Sequence, residues 1–174
     1  MKKVFASFLI LVGLVVGVDE LASARSARKE NTPTLRLIEE VGRRRGADPR
    51  LVKVLKVIAC KESDCGRNPV AARETSKTWA KKAAKIAKSK QEFDALMRSY
   101  GSTQLSGLYT KIEHGIEPHE LLDDEVNIPL AYQKAEKIFE ACKGSEYCSY
   151  ARWNGSGPMA RKYARAALKL EANV

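Results

Sequence analysis

Glu62 is the residue whose type and position best suit chemistry. It follows a run from Leu51 to Ala59 that is apolar over most of a helical circumference, with only Lys53 and Lys56 interrupting. A carboxyl at the end of a buried helix is partly withdrawn from water, and the negative end of the helix dipole lies beside it. Both effects disfavour the carboxylate and raise the pKa. A carboxyl that stays protonated near neutral pH can hand its proton to a departing oxygen, as glycosidic cleavage requires. Position alone does not favour that role. An ion pair with Lys61, Arg67 or Arg73 at a surface corner is the simpler account of a glutamate here.

The remaining reactive residue types are four cysteines and two histidines. Cys60, Cys65, Cys142 and Cys148 form two close pairs. Four cysteines allow three pairings, and the short separations favour local bridges, Cys60 with Cys65 and Cys142 with Cys148. A bridge from Cys60 to Cys65 requires the helix to end between them. Zinc is the weaker reading, because Cys142 and Cys148 are too far apart for a ribbon pair and His114 and His119 are not spaced as finger ligands. Both histidines read as surface residues.

The elements that must carry these groups are helical. Leu35, Leu37, Ile38 and Val41 predict a first helix ending near Gly42 or Gly46. Asp48-Pro49 is a capping residue followed by proline at the first helical position, a sound start for the apolar helix that ends at Glu62. A helix apolar nearly all round is central and buried. Ser76 to Lys90 reads as an amphipathic helix, with Trp79, Ala83, Ile86 and Ala87 on one face and Lys77, Lys81, Lys85 and Lys88 on another. That basic face is solvated surface, or a contact for an anionic wall polymer. Gln91 to Met97 continues as helix, and Pro118 to Leu122 is a short turn. Asp124 to Cys142 is a long helix with Val126, Ile128, Leu130, Ile138 and Phe139 as core candidates. Gly155 to Pro158 breaks the chain before a last helix, Met159 to Leu170. No segment alternates like a half-buried strand, so the class is all-α, with six to eight helices.

The 174 residues suit one domain with short extras, and the formal net charge is +10. Such a charge favours polyanionic partners without choosing among them. Lys2 and Lys3, the apolar run Phe5 to Val18 and the small residues Ala22-Ser23-Ala24 have the layout of an export signal over residues 1–24. The apolar run is shorter than the roughly 20 residues of a membrane span. The expected product is exported, periplasmic or secreted, with no transmembrane span after cleavage. An oxidising compartment also suits paired cysteines.

Four blocks follow in order: Glu62-Ser63, Ser99 to Leu105, Glu120 to Ile128, and Ala151 to Gly157. Their order and spacing, over Leu51 to Leu170, resemble the soluble lytic transglycosylase family, which shares the goose-type lysozyme fold. That family has Glu-Ser at the end of a central helix, then Gly-Leu-Met-Gln, an Asn-Ile stretch, and Ala-Tyr-Asn before a glycine. The resemblance implies a lysozyme-like helical domain over residues 47–174, preceded by a basic segment and first helix over residues 25–46. It implies that Glu62 is the single catalytic acid/base and that Ser63 supports it, or the sugar, by hydrogen bonding. Gln104 then lines the glycan cleft, Asn154 lies near the acid, and Tyr100 and Trp153 contact sugar, although core packing accounts for both aromatics as readily. Asn127 matches the Asn-Ile block. Tyr163 matches a position in the last helix that core packing explains equally well.

The implied reaction cleaves the bond between N-acetylmuramic acid and N-acetylglucosamine in peptidoglycan strands and leaves 1,6-anhydro ends. It needs no metal or cofactor. The chain departs from the pattern at Trp153, where the family has tyrosine; an indole donates one hydrogen bond and accepts none. Ser102-Thr103 replaces two apolar residues, which predicts hydroxyls beside the cleft. The segment Ala71 to Arg98 is long, and predicts a lid or a wall-binding edge. Two other readings follow: a lysozyme on the same fold, with Asp64 or Glu74 holding a water, and a non-catalytic wall-binding protein. Nucleic acid binding rests on charge alone, and the export signal argues against it.

Overall fold

The computed structural model describes residues 32–172 and 174. The expected export signal over residues 1–24, and the basic stretch after it as far as residue 31, lie outside the described residues.

Eight α-helices run in order: α1 Pro33–Arg45, α2 Pro49–Ser63, α3 Lys77–Ile86, α4 Lys90–Leu96, α5 Gly107–His114, α6 Asp124–Ala141, α7 Glu146–Asn154 and α8 Gly157–Glu171. A 3₁₀ turn, Pro118–Leu122, precedes α6. The all-α class expected from the sequence is therefore correct. Its start and stop signals act as the residue types dictate. Asp48 caps α2 by accepting from the Arg50 amide, with Pro49 in the first turn. Gly46 closes α1 in the left-handed conformation.

α2 is the hub, packing against α1, α6, α7 and α8. It buries Leu51, Val54, Leu55, Val57, Ile58, Ala59 and Cys60. Leu35, Ile38 and Val41 of α1 are buried in the same core, as are Ile128 and Phe139 of α6. Val126, Leu130 and Ile138 are only partly buried, because α6 turns a different face inward. Tyr132, which the apolar periodicity did not single out, is wholly buried, and its hydroxyl donates to the Ile38 carbonyl at 2.7 Å. Gly42 makes room for it: a Cβ there would lie 2.4 Å from that hydroxyl.

A second, smaller apolar cluster joins Ala83, Leu96, Met97 and Leu108, with Trp79 and Phe93 packed against it. It holds α3, α4 and α5 together as a lobe beside the main bundle. Two short strands, β1 Ser99–Tyr100 and β2 Leu105–Ser106, pair antiparallel between lobe and bundle. No alternating pattern announced them. Two-residue strands are too short for period-two patterning, and backbone pairing around a turn defines them instead.

Both disulfides join the near neighbours, Cys60 to Cys65 and Cys142 to Cys148. The helix does end between the first pair: Ser63 is its last residue, and Asp64 and Cys65 both take positive φ.

Candidate active site

The cleft between lobe and bundle has a volume of about 580 Å³, in the usual range for ligand sites. Glu62 enters it from the C-terminus of α2, Lys134 from α6, and Trp153 and Asn154 from α7. The lobe contributes Trp79 from α3 and Tyr109 from α5. Both tryptophans of the chain thus line one cleft. The segment that was expected to form a lid or edge supplies a wall.

Glu62 is partly buried, and loss of hydration raises its pKa above its ordinary value. Three groups act the other way: the Tyr163 hydroxyl, Lys61 and Lys134. Burial outweighs them. The Tyr163 hydroxyl is buried without a partner in full hydrogen-bond geometry. The Glu62 carboxyl is the group it interacts with most directly, at looser geometry than a formed bond. Lys61 is drawn over the Tyr163 ring, 4.6 Å from its centroid, rather than across Glu62. Arg67 pairs with Asp64 at 3.1 Å and Arg73 with Asp94 at 3.2 Å. None of the three cations suggested by sequence proximity forms an ion pair with Glu62.

Gln104 lines the cleft in the left-handed conformation, φ 53°. Its amide nitrogen donates to the Asn68 carbonyl at 3.2 Å and the Gly101 carbonyl at 3.1 Å. Two carbonyls can only accept, so the nitrogen must face them. Oε1 is then the free acceptor, buried and without a partner.

Two other expected site residues lie outside the cleft walls. The Ser63 hydroxyl is buried, approaches the Ala59 and Ser102 carbonyls at 2.9 and 2.6 Å, and accepts from the Gly66 amide at 2.8 Å. It ties the end of α2 to the β1–β2 turn. Tyr100 is 8 % exposed, and its hydroxyl donates to the Ala95 carbonyl at 3.0 Å. Trp153, also 8 % exposed, belongs at once to the core and to the cleft.

Ser102 and Thr103 are buried, and their hydroxyls turn to Asn127 instead of the cleft. Asn127 Oδ1 accepts from the Thr103 amide at 3.2 Å and the Thr103 hydroxyl at 2.7 Å, and Nδ2 donates to the Tyr100 carbonyl at 3.0 Å. The expectation of hydroxyls flanking the cleft fails for this reason. Gly101 permits the arrangement: a Cβ there would lie 2.1 Å from Asn127 Nδ2.

Of the water-holding candidates, Glu74 lines the cleft and is exposed, whereas Asp64 is paired with Arg67 outside it. His114 is exposed at the cleft margin and His119 is exposed elsewhere. Among the described residues no group of His, Cys, Asp and Glu is arranged to hold a metal.

Sequence reasoning missed Lys134 and Tyr109. Lys134 follows Leu130 by one helical turn and shares its face, which is a retrievable signal. Tyr109 carried none, because its place depends on the lobe packing. It meets Trp79 edge to face, with ring centroids 5.3 Å apart.

Set against protein-family models, curated proteins and solved structures, the chain has no match in any of the three.

Proposed function

We propose that the protein is an exported lytic transglycosylase that cuts peptidoglycan glycan strands with Glu62 as its single acid/base. The observation that carries this reading is the placement of Glu62: a carboxyl whose pKa burial raises, at the edge of a cleft walled by two tryptophans and a tyrosine. Aromatic faces suit the apolar faces of sugar rings.

Glu62 donates its proton to the oxygen linking N-acetylmuramic acid to the next N-acetylglucosamine, and the C1–O bond breaks. The carboxylate left behind is stabilised by the nearby Lys61 and Lys134 ammonium groups and by the Tyr163 hydroxyl. It then takes the proton of the muramoyl C6 hydroxyl as that oxygen bonds to C1 of the same sugar. The products are a 1,6-anhydro end and a free 4-hydroxyl, and no water is consumed. Intramolecular attack gains from proximity, which offsets the lack of a second catalytic carboxylate.

A hydrolytic variant of the reaction draws support from Glu74, an exposed carboxylate in the same cleft that could orient water. The two disulfides fit an oxidising compartment, and no helix among the described residues is long and apolar enough to cross a membrane.

The test is digestion of purified peptidoglycan by the mature protein, with mass spectrometry of the soluble fragments. Anhydro ends are expected, and loss of activity by at least a hundredfold in Glu62→Gln. Reducing ends would assign hydrolysis. A folded protein that releases no fragments would remove the enzymatic reading.

A further inference from the structure

Lys61 and Lys82 sit over the rings of Tyr163 and Tyr109, and Lys134 sits over a ring too, but of the three only Lys134 lines the cleft. Its ammonium lies 3.9 Å from the centroid of the Trp153 ring, inside the cleft that holds Glu62. Three other lysines meet carboxylates directly: Lys56 pairs with Glu39 at 2.8 Å, and Lys53 and Lys111 pair with Glu171 and Glu117. Among the described residues no carboxylate comes within ion-pairing distance of Lys134; Glu62 and Glu113 act on it only from further off. Its side chain is exposed to the cleft, although the surrounding walls dehydrate the ammonium enough to lower its pKa.

An ammonium has three donors. The indole face takes the positive charge on one side, and no protein acceptor takes the donors on the other. Trp is the strongest of the aromatic seats for a cation, and Trp153 supplies it for Lys134. The carboxyl groups of the lining are those of Glu62, Glu74 and Glu113. Lys134 is the single Lys or Arg in the lining, and so the one full positive charge there that an entering anionic group can meet.

We propose that Lys134, seated on Trp153, is the carboxylate-recognition point of the cleft, selecting strands whose sugar beside Glu62 bears a free carboxylate, such as a 3-O-lactyl group with no peptide amide-linked to it, over neutral amino-sugar polymers. This inference rests on the saccharide reading of the site. It adds a specificity determinant to it: Lys134 binds and discriminates, while Glu62 carries the proton.

The experiment compares two probes of equal length, a tetrasaccharide of N-acetylglucosamine alone and one alternating with N-acetylmuramic acid and free of peptide. Binding is followed by calorimetry in a Glu62→Gln background, which cannot turn either over. That background is expected to prefer the carboxylate-bearing probe by about five- to tenfold. Adding Lys134→Met, which keeps the stem on the indole and drops the charge, should abolish the preference. Lys134→Arg should retain it. Preference undiminished in Lys134→Met, or equal binding of both probes in Glu62→Gln, overturns the role of Lys134 and leaves the saccharide reading standing. Failure of both probes to bind a folded Glu62→Gln protein overturns both.

Discussion

A partly buried acid has a cost in stability, and Glu62 is such a group. Its pKa is raised in the folded chain, so the folded state holds that proton more tightly than the unfolded chain does. The stabilising effect of that proton is fully present below the unfolded pKa and is lost as pH rises through the higher folded one. Near neutral pH the group therefore weighs against folding. Glu62→Gln is expected to raise the melting temperature there by a few degrees, on the order of 1 kcal/mol. The difference should shrink to nothing as the pH falls to about 4. Scanning calorimetry of both proteins across pH checks this, and identical melting curves at neutral pH would contradict the burial account. The hydroxyl of Tyr163 and the free Oε1 of Gln104 are two further unpaired polar atoms beside the cleft. Such groups cost stability when left unsatisfied.

At the scale of elements, the site depends on two fastenings. Asn127 binds the start of α6 to the β1–β2 turn through Tyr100, Ser102 and Thr103. Asn127→Leu keeps the volume and strands those partners, so it should destabilise the fold by about 3 kcal/mol. Because Gln104 sits on the same turn, glycan binding should weaken with it. Denaturant unfolding and binding measured on one preparation would separate the two effects. The second fastening is the Cys60–Cys65 bridge, which closes the C-terminus of α2 one residue pair away from Glu62. Both bridges span short loops, five and six residues in separation, and by loop entropy each stabilises by about 2 kcal/mol. Replacing either pair by serine should lower stability by similar amounts. Only the Cys60/Cys65 pair should also reduce turnover at a temperature where both variants are folded. Equal turnover losses would show that the bridge at α2 has no special bearing on Glu62.

Over the whole molecule, charge is distributed against the average. The chain carries +10, yet three carboxylates and one lysine line the cleft. The excess positive charge therefore lies outside it. Lys77, Lys81, Lys85 and Lys88 are all exposed on and just after α3, the helix whose Trp79 faces the cleft. We expect these lysines to hold the protein on an anionic wall polymer. Replacing all four by glutamine should reduce adsorption to intact wall material and flatten its dependence on salt. Affinity for soluble neutral oligosaccharides should stay within about twofold, since surface pairs contribute little locally. Cosedimentation across a salt series measures the first and calorimetry the second.

The sequence by itself determined the elements that obey local rules. Asp48-Pro49 opened α2, its all-round apolar surface made it central, and Glu62 had to follow at its end. The close spacing of the cysteines favoured the two bridges, which form within short loops. These outcomes depend on neighbours a few residues apart. The rest depended on contacts that periodicity cannot carry. Ser102 and Thr103 turned inward because Asn127, distant in sequence, offered them an acceptor. Ser63 and Tyr100 were taken up by backbone carbonyls, and Tyr163 was brought against Glu62 from the last helix. The cations near Glu62 in sequence found other partners, while Lys134 came to rest on Trp153 across the interface of α6 and α7. Tertiary packing decided which charges, rings and hydroxyls share the cleft, because a side chain's partner in space is set by how helices meet and not by where it falls along the chain.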